Sequence, residues 1–162
     1  MRILGIDPGI GRCGWGVIEI RQGKFKVYDY GCIETSPQQN VQTRLQEIHE
    51  KISKIIKTYD PDILSIEELF FNTNAKTAFV VGQARGVILL AGAQNHLEIA
   101  IYTPLQVKMA LTGYGRAEKR QVGQMVKTLL KLKEVPKPDD TADALAIAIA
   151  HAFSNKLSGL AK

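Results

Sequence analysis

Four carboxylates in this chain stand where acids are costly unless chemistry requires them, namely Asp7, Glu67, Asp140 and Asp143. Asp7 ends the apolar run Ile3-Leu4-Gly5-Ile6, and Glu67 ends Ile63-Leu64-Ser65-Ile66. Asp140 and Asp143 open the Ala-rich run Ala142-Ala144-Leu145-Ala146-Ile147, at a spacing that puts both on one helix face. Acids at the ends of two strands and the start of a helix can converge in space. Converging carboxylates repel unless something positive lies between them, and a hard divalent metal with oxygen ligands is the usual candidate. The chain as a whole is basic, with 21 Lys and Arg against 16 Asp and Glu and a net charge of +5. An acidic metal cluster on a basic protein points to chemistry on a phosphate backbone.

Each acid also has a plainer reading. Asp7-Pro8-Gly9 is ordinary turn composition. Glu67-Glu68 can be a solvated strand end. Asp139 or Asp140 can cap a helix and complement its dipole. For these readings to hold together, all four placements must be coincidences.

The elements that must position the acids follow from hydrophobic period. Residues 2–7 read as a buried strand, and Asp7-Pro8-Gly9-Ile10-Gly11 as a turn. Residues 14–20 and 24–33 read as two more strands joined tightly at Arg21-Gln22-Gly23, which makes an antiparallel meander. Val41, Leu45, Ile48, Ile52 and Ile55 define the buried stripe of a helix that Asn40 caps and Asp60-Pro61 ends. Residues 62–67 form a short strand buried on both faces, as expected inside a helix-covered sheet. The helix over 74–94 is apolar around most of its circumference and needs more than one partner. Ala78, Gly82 and Gly86 recur at every fourth position and suit the close approach of a second subunit. A strand at 98–102 precedes Thr103-Pro104, an N-cap with proline at the first helical position. That helix runs to about Leu111 and ends in the glycine-rich basic loop Thr112-Gly113-Tyr114-Gly115-Arg116. Helices over roughly 118–132 and 139–154 complete the chain. The expectation is an α/β fold, a mixed five-stranded sheet with an antiparallel meander, flanked by helices.

At 162 residues the chain is read as a single domain, 1–162, with room for a hydrophobic core. No run of about 18 apolar residues and no signal peptide is present, and Gln83 and Arg85 interrupt the most apolar stretch, so no membrane role is expected. Cys13 and Cys32 lack zinc-ligand spacing and read as free thiols in a cytoplasmic protein. From Ile101 to Lys137 the basic residues are Lys108, Arg116, Lys119, Arg120, Lys127, Lys131, Lys133 and Lys137, against only Glu118 and Glu134. Beside a phosphate-type site, that bias reads as a nucleic-acid-facing surface.

Six segments make the pattern specific. MRILGIDPGIGRCG (1–14), SIEELF (65–70), GQARG (82–86), TPLQVK (103–108), GYGRAEK (113–119) and DTADALAIAIA (140–150) together resemble the RuvC family of bacterial Holliday-junction resolvases over nearly the whole chain. The resemblance implies a ribonuclease H-like fold. It also implies a metal-dependent, homodimeric endodeoxyribonuclease that nicks opposed strands of a four-way DNA junction and cooperates with the RuvA and RuvB branch-migration proteins. On this resemblance the catalytic and metal-binding acids fall on Asp7, Glu67, Asp140 and Asp143. Some relatives carry histidine at one of the last two positions, where this chain has Asp at both. The aromatic wedge falls on Phe70, with Phe71 beside it as the alternative, and the DNA-contacting basic residues on Lys108, Arg116 and Lys119.

The chemistry implied uses two Mg²⁺ per site, with Mn²⁺ a possible substitute, to activate a water and stabilise the leaving 3′ oxygen. The products would be a 5′-phosphate and a 3′-hydroxyl. No side chain need be a nucleophile, and His49, His96 and His151 match no catalytic motif. The rival expectations are another ribonuclease H-like nuclease of the YqgF type or ribonuclease H itself, a two-lobed actin-like ATPase that this length does not accommodate, and a non-catalytic junction-binding module.

Overall fold

The computed structural model describes residues 1–68 and 75–160. Five strands, β1 (Arg2–Asp7), β2 (Arg12–Arg21), β3 (Lys24–Glu34), β4 (Ile63–Glu67) and β5 (Glu98–Tyr102), form one sheet in the order β3-β2-β1-β4-β5. β1, β2 and β3 are the expected antiparallel meander. β4 and β5 run parallel to β1. Among the described residues five helices cover the sheet: α1 (Val41–Tyr59), α2 (Ala75–Gln94), α3 (Pro104–Thr112), α4 (Lys119–Leu130) and α5 (Asp139–Leu160).

Strand alternation sorts the core into two layers. Ile3 and Ile63 pack with α3, α4 and α5 on one face of the sheet. Leu4, Ile6, Leu64 and Ile66 pack with α1 and α2 on the other. Side chains on a strand alternate faces, so Asp7 follows Ile3 and Glu67 follows Ile63 onto the α5 side. Ser65, two residues before Glu67, confirms that parity by donating to the Ile147 carbonyl of α5 at 3.1 Å. Ile6 pairs with Ile66, so Asp7 and Glu67 end neighbouring parallel strands side by side.

α5 reaches the acids because β2 lets it come close. Gly14 pairs with Asp7, and a Cβ on Gly14 would collide with the Asp140 carbonyl. Any larger residue there would push the first turn of α5 away from the sheet. Behind that turn Ala144, Leu145, Ala146, Ala148 and Ile149 are fully or almost fully buried. Small alanines let a helix lie tightly on a sheet, and Leu145 and Ile149 each supply about 1.5–3 kcal/mol of burial.

Several boundaries differ from expectation. The α1 stripe is Ile48, Ile52 and Ile56, with Leu45 and Ile55 half-buried and Val41 exposed. The 4-residue step from Ile52 favours Ile56 over Ile55, and Val41 sits in the first turn, at the helix end. Asn40 caps α1 as expected, accepting the Thr43 N–H at 2.9 Å. Thr103 and Gln106 form a reciprocal capping box on α3, and Glu118 and Gln121 another on α4. α5 continues to Leu160, beyond the expected end near 154. Among the described residues no helix is long and apolar enough to cross a membrane.

Candidate active site

The four acids lie toward one end of the sheet, brought there by two constraints. β1 and β4 deliver Asp7 and Glu67 by parity. The first turn of α5 delivers Asp140 and Asp143. A neighbouring cation holds each of the helix acids. Lys119 Nζ lies 2.8 Å from Asp143 Oδ2 and 3.6 Å from Asp139 Oδ2. Arg12 Nε lies 3.3 Å from Asp140 Oδ2. Arg85 of α2 reaches across the sheet end and donates Nε–H to the Glu67 carbonyl at 3.1 Å, which fixes the strand terminus.

Charge crowding is visible in the proton affinities. Asp7 is raised from 3.8 to about 8, first by burial and then by the charges of Asp143, Glu67 and Asp140, with Lys119 partly opposing. Burial also raises Glu67, with Asp143 adding to it and Lys119 and Lys108 opposing. Asp143 is raised by burial despite the hydrogen bond and charge of Lys119. For Lys119, burial acts downward, but the Asp143 hydrogen bond and the charges of Asp143, Asp139 and Asp7 carry it upward. Burial leads for each of these three carboxylates, and neighbouring acids add to it.

Among the described residues no three His, Cys, Asp or Glu side chains stand together closely enough to hold one ion. The convergence expected of the acids is thus electrostatic in this structure, and the Lys119 ammonium lies among them. The donor type nevertheless suits a hard divalent cation: each of the four acids offers carboxylate oxygens, and Asp7 feels the charge of the other three.

Beside the acids opens a cleft of about 220 Å³, bounded by Glu67, Asp143, Lys108 and Lys119 with Val107 and Ile147 at its floor. The structure thus brings Lys108 and Lys119 to the acids. Arg116 is exposed in the loop before α4. Phe70 and Phe71 lie outside the described residues. Sequence reasoning missed Arg12 and Arg85. For Arg12 a signal existed: the hairpin that pairs Asp7 with Gly14 returns residue 12 to the acid end of the sheet.

The histidines and cysteines are held by contacts and burial of their own. His151 is buried and meets the Tyr102 hydroxyl through Nδ1 at 2.9 Å, its pKa lowered by burial. His49 contacts Gln94. Cys13 is a buried thiol pushed up to about 12 by burial, and Cys32 is half-buried.

The model of the family "Crossover junction endodeoxyribonuclease RuvC" matches residues 3–151. The crossover junction endodeoxyribonuclease RuvC of Alkaliphilus metalliredigens is 56% identical over 162 residues, covering 100% of this chain and 99% of its own. The solved RuvC structure of Thermus thermophilus superposes with a TM-score of 0.91 at 37% identity, covering 98% of this chain and 97% of that one. The same protein solved in complex with Holliday junction substrate gives 0.89 at 35% identity, covering 97% and 96%.

Proposed function

This chain belongs to the RuvC family of crossover junction endodeoxyribonucleases, and from that premise we propose how its residues carry out the reaction. The protein is a Holliday-junction resolvase, a hydrolase acting on DNA in recombination and repair. The observation that supports the site assignment is the placement of Asp7 and Glu67 on neighbouring strand ends beside the first turn of α5, which carries Asp140 and Asp143.

In this reading the four carboxylates hold the divalent cation on which the family's activity depends, Mg²⁺ or Mn²⁺ and two ions per site. When bound, the metal makes a water acidic enough to attack phosphorus and stabilises the leaving 3′ oxygen. The chain's own residues do the rest. Asp7 and Glu67, on rigid strand ends, fix the cluster against the sheet. Lys108 and Lys119 line the cleft and take the phosphates flanking the cut, and Arg116 extends that track. Lys119 leaves its contact with Asp143 when a phosphate offers a better partner. Arg12 orients Asp140, and Arg85 holds the backbone that carries Glu67. Phe70 acts as the aromatic wedge at the opened junction.

Symmetric resolution needs two such sites. The outer face of α2 suits the pairing: Phe79 is 68% and Leu90 50% exposed, and open space surrounds Gly82 and Gly86 between them. The opposite face, with Ala84, Ile88 and Ala91, is already buried in its own core. A two-fold dimer through α2 would present two clefts to a two-fold junction. RuvA and RuvB are the partners this reading implies, and the cytoplasm its place.

The test is cleavage of a synthetic mobile four-way junction with Mg²⁺, comparing wild type with Asp7→Asn on a denaturing gel. Paired nicks on opposed strands, lost in Asp7→Asn while junction binding persists, are expected. Nicking at the normal rate by Asp7→Asn would refute the site.

A further inference from the structure

The loop between α3 and α4 carries a feature that the acid site does not use. Tyr114 is 57% exposed, and Leu105 and Met109 of α3, which lie against the next residue, Gly115, are 59% and 50% exposed. Large apolar side chains left in water together, next to a functional cleft, mark a contact surface.

The pad is held in place. The Thr112 hydroxyl donates to the Lys108 carbonyl at 2.8 Å and accepts the Tyr114 N–H at 3.1 Å. The Tyr114 carbonyl accepts the N–H of Ala117, a residue buried to 1% exposure, at 3.1 Å. Leu105 lies so tightly on Gly115 that a Cβ there would strike its side chain. The backbone on both sides of Tyr114 is therefore fixed while its ring stands in solvent. Binding through such a ring costs little conformational entropy.

Its surroundings say what would cover it. Lys108 shares α3 with Leu105 and Met109 and lines the acid cleft, as does Pro104, the residue before Leu105. Arg116, Lys119 and Arg120 follow Tyr114 in sequence, within a segment holding eight basic residues and two acids. An exposed aromatic on a basic segment fits a nucleic-acid strand, whose phosphates take the cations and whose bases have an apolar face. Paired bases inside a duplex hide that face, whereas bases unpaired at a branch point offer it.

We propose that Tyr114, supported by Leu105 and Met109, is a second stacking platform that holds an unpaired base of the strand entering the acid cleft. The proposal rests on the junction-cleaving reading. It is separate from the wedge assigned to Phe70, because Tyr114 lies in the loop between α3 and α4, far along the chain from residue 70.

The experiment measures equilibrium binding by fluorescence anisotropy in EDTA, for a labelled four-way junction and for linear duplex of the same sequence. Wild type is compared with Tyr114→Ala, Tyr114→Phe and Tyr114→Trp, with melting temperatures and sedimentation mass recorded for each. Tyr114→Ala should weaken junction binding about tenfold, the scale of one lost base stack. Its duplex binding, melting temperature and mass should not change. Phe and Trp should keep junction binding within about twofold, because stacking needs the ring and not the hydroxyl. Unchanged junction affinity in Tyr114→Ala, equal losses on junction and duplex, or failure of Phe to rescue would each overturn the stacking role. A mass change in Tyr114→Ala would overturn it in favour of a contact with a second copy. A wild-type protein with no preference for the junction would overturn the junction reading itself, and this proposal with it.

Discussion

Asp7→Asn should stabilise the metal-free protein even as it removes activity. Asp7 is raised from 3.8 to about 8 in the folded protein, by burial and by three other carboxylates. In the unfolded chain it returns to its ordinary value. Between about pH 4 and pH 8 the folded state therefore holds a proton that the unfolded chain has released. Stability falls with rising pH wherever the native state binds more protons. The penalty of Asp7 is thus absent below about pH 4, grows through that window, and is complete above about pH 8. At about 1.4 kcal/mol per unit, the gap sets a ceiling of about 6 kcal/mol. Water enters the open side of the cleft and Lys119 can move closer, so about 1–3 kcal/mol is the working figure. For a chain of this size that is about 2–10 °C in melting temperature. Asn keeps the shape and removes the charge. Melts in EDTA at pH 5 and pH 8 should show Asp7→Asn above wild type, by several degrees at pH 8 and by less at pH 5. Mg²⁺ should raise wild type more than Asp7→Asn, since binding to the native state alone stabilises it. A variant that melts below wild type at pH 8 in EDTA would refute the charge-crowding argument, whatever its activity.

Other consequences follow from the cations and the uncovered faces. Lys108→Ala should lower the slope of log binding constant against log salt by about one, as for one lost phosphate contact; an unchanged slope in a salt titration would remove Lys108 from the DNA track. Gly82→Glu should place a charge in the middle of the outer face of α2 and yield a folded monomer in sedimentation; a monomer that still makes paired nicks would contradict the dimer account. Phe70→Ala should slow junction cleavage more than it lowers the melting temperature. A large thermal loss with normal cleavage would instead make Phe70 a core residue.

The acids were legible because their positions are set by local periods. Asp7 and Glu67 lie an even number of residues from Ile3 and Ile63, so the strand that buries those isoleucines must turn the acids to the same face. Asp140 and Asp143 share a helix face at any tertiary arrangement. The cations were less legible for a physical reason. Lys119 reaches Asp143 and Arg12 reaches Asp140 across elements far apart in sequence, through long side chains whose direction only the packed fold decides. The same limit hid Tyr114, which the sequence gives only as part of a glycine-rich basic loop, whereas the Thr112 hydroxyl and the buried Ala117 pin its backbone. Lys119 joins these two observations, because it pairs with Asp143 and Asp139 and also lines the cleft. Whatever brings positive charge in, or draws Lys119 out toward a phosphate, changes the geometry the acids can reach. Metal and DNA should then bind cooperatively, each easing the cost of the other, and that coupling is reciprocal by linkage.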